Sequence, residues 1–208
     1  MALWKTARDG AAENNKPSAR STTRRPWKSD RKRRFMVGVT TTAFISSTVA
    51  ASLMIYPHNM AFFNSLAGGP KNGPNHLINS NVDWGQDLMT LKNWTSAKSP
   101  EQITYLAFYN FYNPFDFELQ NTEPWPFEKN KSAPARIPDG FYAISVNLLY
   151  DFPWPVRDRV GNQYRIDLRP LAHLRTVEPI GRAGYSIRIF SADQVRAAYA
   201  LPERSPLF

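Results

Sequence analysis

Over the first 34 positions apolar residues follow neither a helical nor a strand period. Gly, Asn, Ser, Pro and charge dominate, as in segments too polar to form a core. At Phe35 the pattern reverses: from Phe35 to Tyr56 run 22 residues without a charge. At about 1.5 Å per residue such a helix reaches roughly 33 Å, close to the thickness of a bilayer core. The pattern therefore predicts a transmembrane helix over 35–56. Its hydroxyls, among them Thr40, Thr41, Thr42, Ser46 and Ser47, can bond back to the helix or across to another. Ala43, Ser47 and Ala51 recur every fourth residue. That stripe of small side chains would admit a second helix, a lipid or a flat pigment.

Beyond Tyr56 the periods shorten and change. His58–Ala67 predicts a short helix ending at Gly68-Gly69-Pro70, where glycine suits the cap and proline cannot continue. Trp84, Leu88 and Leu91 share one face of a helix running to about Trp94, with Asp83 and Gln86 as a capping pair. The cap explains Asp83, and the helix dipole, which favours anions in the first turns, explains Asp87, against an alternative as an acid/base or metal-ligand pair. Ile103–Tyr109, Phe141–Leu149 and Tyr185–Phe190 predict strands, the second opened by the turn Pro138-Asp139-Gly140. The third alternates, with Tyr185, Ile187 and Ile189 on one side and Ser186 and Arg188 on the other. A short helix is expected near Leu168–Leu174, and Ser191 with Gln194 caps a last helix reaching about Leu201. Strands interleaved with helices imply a small α/β domain with a three- or four-stranded sheet.

Two segments break the pattern. Residues 110–138 hold five prolines and six aromatics: Phe111, Tyr112, Phe115, Phe117, Trp125 and Phe127. Phe152-Pro153-Trp154-Pro155 is a second such patch. Long loops of this kind are functional or docked. Aromatics on a stiff loop offer contact area at low entropy cost, so these six and Trp154 are expected to bind a partner, against the alternative that the segment folds back over the domain's own core.

Charge divides the chain in the same way. Residues 1–34 carry eleven Lys or Arg against three acids, while residues 35–208 carry fifteen against fourteen. A nearly neutral folded part excludes a uniformly basic nucleic-acid-binding domain, so no nucleic acid is expected. Basic residues cluster before the apolar helix, ending in Arg31, Lys32, Arg33 and Arg34, and the next is Lys71. The positive-inside rule then predicts a cytoplasmic N-terminus, and the expected location is a bacterial inner membrane. The basic arm, 1–34, would be cytoplasmic, and the globular domain, 57–208, periplasmic. The four basic residues would meet anionic lipid heads, and Trp4 and Trp27 would anchor the arm at a membrane or a protein. An uncleaved anchor is expected. The rival is an export signal, with Arg33-Arg34-Phe35-Met36-Val37 like a twin-arginine core and Val49-Ala50-Ala51 as cleavage site.

There is no cysteine, so disulfides, thiolate metal sites and thiol catalysis are excluded. Three histidines, His58, His76 and His173, offer little for a metal centre. No cofactor is expected.

Two stretches carry a family resemblance. Phe62-Phe63-Asn64-Ser65-Leu66-Ala67-Gly68-Gly69-Pro70-Lys71-Asn72-Gly73 is one, and Asn79-Ser80-Asn81-Val82-Asp83-Trp84-Gly85-Gln86-Asp87-Leu88 is the other. Together they resemble the region after the last transmembrane helix of bacterial membrane glycosyltransferases similar to protein mannosyltransferases and aminoarabinose transferases. Asp139–Val146 and Pro179–Ile187 fit the same C-terminal module. Those enzymes hold their catalytic acids in an early extracytoplasmic loop that has no counterpart here, so the resemblance carries over no catalytic residue. What it implies is a last helix and tail domain separated from an active site.

Three functions are therefore expected in descending order. The first is a non-catalytic single-pass accessory subunit of a large membrane complex, of the photosynthetic reaction-centre, light-harvesting or respiratory kind. It would contact integral-membrane subunits, lipid and neighbouring pigments. The second is a module binding a glycan or polyprenyl-phosphate sugar beside a membrane glycosyltransferase, with Trp84, Trp125 and Trp154 as stacking candidates. The third is an enzyme using Asp83, Asp87 and His76.

Overall fold

A computed structural model describes residues 27–63, 68–79, 82–98, 101–129 and 136–202, with side chains from Asp30 onward. The chain divides into two compact units between Ser46 and Ser47. Trp4 lies outside the described residues, and Trp27 is described only as backbone.

The first element, α1, spans Trp27–Ile55, and its stretch from Asp30 to Ile55 is long and apolar enough to cross a membrane. It starts eight residues before the uncharged run. Lys and Arg are good helix formers, and Asp30 in the first turn suits the positive end of the helix dipole. Arg31, Lys32, Arg33 and Arg34 are therefore helical and exposed. Phe35, Phe44, Leu53 and Met54 are exposed as well. The Thr40 hydroxyl turns back to the Met36 and Val37 carbonyls, 3.0 Å each, a local bond that Ser and Thr commonly make within a helix.

The second unit is a mixed α/β domain. Its five-stranded sheet comprises β1 (Thr104–Ala107), β2 (Thr122–Pro124), β3 (Phe141–Ser145), β6 (Gly181–Ala183) and β7 (Ile187–Ser191), in the order β2-β1-β3-β7-β6. β1 runs parallel to β2 and β3, and β7 antiparallel to β3 and β6. A separate hairpin pairs β4 (Val156–Arg157) with β5 (Gln163–Tyr164).

Both faces of the sheet are covered. One face places Tyr142, Ile144 and Phe190 against Trp125, Phe127, Leu171, Leu174 and Val195. The other places Leu106, Ala143, Ile187 and Ile189 under Leu88 and Leu91 of α2 (Leu88–Lys98). Each fully buried leucine contributes about 1.5–3 kcal/mol. Among the described residues the remaining α-helices are α3 (Val146–Leu149) and α4 (Ala192–Ala200). The expected Ser191–Gln194 capping box opens α4, with both reciprocal bonds formed.

Several expectations need correction. The sheet has five strands, because β2 and β6 are three-residue edge strands that no alternation marks. β2 ends in Pro124, which an edge strand tolerates. The strand read from Phe141 to Leu149 stops at Ser145, whose register partner Ile187 begins β7. Past that point there is no ladder to join, and 146–149 turn into α3. The 58–67 helix is a single 3-10 turn at Asn59–Ala61, with 64–67 outside the described residues.

The helix read from Asp83 begins only at Leu88. Gly85 takes φ +78°, and the side chains of Asp83 and Gln86 bond the backbone N–H groups of Gly85 and Trp84, both at 2.7 Å. Such local bonds compete with the first helical turn and form a tight loop instead. The 168–174 helix is a 3-10 helix over Pro170–Thr176.

Candidate functional site

The Trp84-Gly85-Gln86-Asp87 loop brings two carboxylates to the centre of the domain. Asp83 is 0% and Asp87 1% exposed. One Asp87 oxygen, Oδ2, accepts from the Tyr185 N–H (3.0 Å), the Ser186 N–H (3.0 Å) and the Ser186 hydroxyl (2.8 Å). The other, Oδ1, lies 2.8 Å from His58 Nδ1. Three donors of the chain thus converge on one carboxylate oxygen, with the His58 ring against the other. The turn that presents two of them passes through Gly184 at φ +57°, where a Cβ would lie 2.2 Å from the Asp87 carboxylate. Asp87 thus ties together the segment after α1, the loop before α2 and the β6–β7 turn.

Asp83 is less well served. Its Oδ1 accepts from the Gly85 N–H, while Oδ2 is buried without a hydrogen bond. Burial raises its pKa from 3.8 to about 7. The Gly85 N–H and the Ser145 hydroxyl pull the other way, and the nearby Asp87 charge adds to the rise.

A general acid or base must reach the atom it protonates. Both carboxylates are sealed from solvent, and Asp87 has its acceptor positions filled by the chain itself. His58 is 23% exposed and stands edge-on to Tyr185 at 5.6 Å. Its partner Asp87 orients the ring. Among the described residues no three of His, Cys, Asp and Glu are grouped to hold a metal. The enzyme reading named His76, but the histidine beside Asp87 is His58. His76 lines a different cavity.

Outside the carboxylates lies an aromatic rim. Trp84 is 51% exposed, and its carbonyl accepts from Asn110 Nδ2 at 2.7 Å. The Tyr112 hydroxyl donates to the Gly85 carbonyl at 2.8 Å. Phe111, 64% exposed, packs edge-on to Trp154 at 4.8 Å, and its carbonyl accepts from Arg157. The Trp154 indole N–H donates to the Asn110 carbonyl at 3.0 Å. Phe117, also exposed, tilts against Tyr112 at 5.2 Å. Phe115 is half-buried with Arg159 over its ring.

Two members of the expected partner-binding set fall elsewhere. Trp125 and Phe127 are buried against Tyr142 and belong to the core. β2 pairs with β1 and carries the two residues that follow it across the sheet face. This half of the proline-rich segment folds back on its own domain. On α1, Ala43 is exposed, while Ser47 and Ala51 line an apolar cavity of about 500 Å³ with Phe62, Phe63 and Tyr185.

Sequence reasoning missed His58, Tyr185 and Ser186, which lie 29, 98 and 99 residues from Asp87. No local pattern marks such partners. It also placed Arg188 on a polar strand face, where the structure buries it at 6% exposure. Its flanks Ile187, Ile189 and Phe190 were the signal that both faces of this strand are covered.

In comparisons with protein-family models, curated proteins and solved structures, nothing matches this chain.

Proposed function

We propose that the chain is a non-catalytic, single-pass subunit of a multisubunit inner-membrane assembly, docking on integral-membrane proteins through its aromatic rim. The observation that carries this reading is the rim itself. Trp84, Phe111 and Phe117 are exposed, yet the loops that bear them are braced by the Asn110, Tyr112, Trp154 and Arg157 hydrogen bonds. Rigid exposed aromatics bind at low entropy cost and dominate interface energetics. In this reading α1 spans the membrane, Arg31, Lys32, Arg33 and Arg34 meet its cytoplasmic surface, and the α/β domain is periplasmic. The sealed Asp83–Asp87 centre supports a structural role for those acids. Mild-detergent purification from native membranes, followed by mass spectrometry, tests this. Stoichiometric membrane-protein companions are expected, and a chain that migrates alone rejects the reading.

A second reading is a module that binds a glycan or polyprenyl-phosphate sugar beside a membrane glycosyltransferase, favoured by the exposed Trp84 indole as a stacking surface. Trp125 is buried and Trp154 is engaged by Asn110, so Trp84 carries it. A glycan titration that quenches tryptophan fluorescence in the wild type but not in Trp84→Phe supports it, and an unchanged spectrum rejects it.

A further inference from the structure

The sheet buries a second charged centre that the docking reading leaves unused. Arg188 on β7 is 6% exposed. Its Nη1 donates to the Arg175 carbonyl at 3.1 Å, while its Nε is buried with no acceptor. Among the described residues no carboxylate pairs with it. Its register partner across the β6–β7 ladder is another cation, Arg182. Like charges directly opposite each other on antiparallel strands repel, and a buried, unpaired cation is costly.

These residues line a cavity of about 670 Å³ that also presents Lys71 and Arg175. Glu178 is the acid on its wall, 3.3 Å from Arg182 and 85% exposed at its side chain. Arg175 is ion-paired with Asp151 at 2.5 Å. The guanidinium groups of Arg175 and Arg188 stand over the Tyr150 ring at 5.5 and 5.8 Å. The Tyr150 hydroxyl is fixed by Asn75 Oδ1 at 2.6 Å. The two forks are thus held in place before any ligand arrives.

We propose that this cavity is a site for a dianionic phosphate, either the phosphomonoester headgroup of a lipid or a free phosphate or soluble phosphomonoester. A planar guanidinium matches phosphate oxygens in pairs, and a dianion between Arg188 and Arg182 converts a repulsive pair into a bridged one. The cavity is much larger than one phosphate group, which leaves room for the rest of an ester.

The test uses the full chain in phosphatidylcholine nanodiscs and reads the thermal unfolding midpoint. One arm titrates inorganic phosphate at constant ionic strength, and the other replaces part of the lipid with phosphatidic acid. A saturable rise is expected in at least one arm, since a ligand bound only to the folded state stabilises it. A rise with phosphatidic acid alone assigns the lipid source, and a rise with inorganic phosphate assigns the soluble one. Arg188→Gln and Arg182→Gln each should weaken the apparent affinity about tenfold or more, the worth of a charged hydrogen bond. Arg159→Gln, remote from the cavity lining, should leave it unchanged. If Arg188→Gln does not fold, Arg182→Gln decides, because the ion pair it breaks is with the largely exposed Glu178. No rise in either arm, or a rise that Arg182→Gln leaves intact, overturns the proposal.

Discussion

Asp87 and Arg188 are both ionisable, both buried and both held against the β6–β7 hairpin, yet the chain treats them differently. Asp87 receives two backbone N–H groups, a hydroxyl and an imidazole. Arg188 gives one hydrogen bond to a carbonyl, stands over an aromatic face and faces Arg182 across the ladder. A buried charge whose hydrogen-bonding positions are filled by its own chain is architecture. One that leaves a donor without an acceptor, on the wall of a cavity, is where we place a ligand.

The largest effect should come from Asp87→Ala. It strands two backbone N–H groups and a hydroxyl of the β6–β7 turn, at about 1–3 kcal/mol for each donor left unsatisfied. Denaturant unfolding measures it, and a loss well under 1 kcal/mol would erase the distinction drawn between the two centres.

Asp83 sharpens the contrast through pH. Its folded pKa of about 7 lies above its ordinary 3.8, so the protonated form is favoured in the folded state. The stability this contributes is fully present below the ordinary value and is lost as pH rises through about 7. The span corresponds to a decline on the order of 4 kcal/mol, following the 1.36 kcal/mol per unit of pKa. Stability curves over this range should flatten in Asp83→Asn, which is neutral at every pH.

Gly184→Ala comes next. A Cβ there meets the Asp87 carboxylate and must also accept a left-handed backbone, a strain of about 1–3 kcal/mol or more. A smaller loss in a calorimetric scan would mean the turn relaxes without loosening Asp87. Arg188→Gln should be the mildest, within about 1 kcal/mol in anion-free buffer, since it removes a repulsion along with one hydrogen bond. A loss as large as that of Asp87→Ala would mark Arg188 as structural too.

What the sequence disclosed follows from where the physics is local. The uncharged run of α1, the Ser191–Gln194 box and the cores of β1, β3 and β7 were legible, because composition, capping and period are written in adjacent residues. The cores of β2 and β6 were not, since three residues cannot show an alternation. The pair Asp83 and Asp87 stood out as a motif, but their roles depend on His58, Tyr185 and Ser186, which only the fold brings near. The proline-rich segment was legible as a unit and misread in half. Trp125 and Phe127 follow a strand pairing onto the core face, whereas Phe111 and Phe117 follow a 3-10 turn at Pro114–Phe117 and remain outside. Arg188 was misplaced because strict alternation assigns one strand face to solvent, and this sheet has none at that position.

The docking rim is tested most directly by placing a photo-activatable phenylalanine analogue at Phe111 of the full chain in native membranes, with Val160, 86% exposed, as the control position. One discrete adduct with an integral-membrane protein from position 111, absent from position 160 and lost in Trp84→Ala, is the expected result. Equal labelling from both positions, or no adduct from position 111, would contradict the rim as a docking surface.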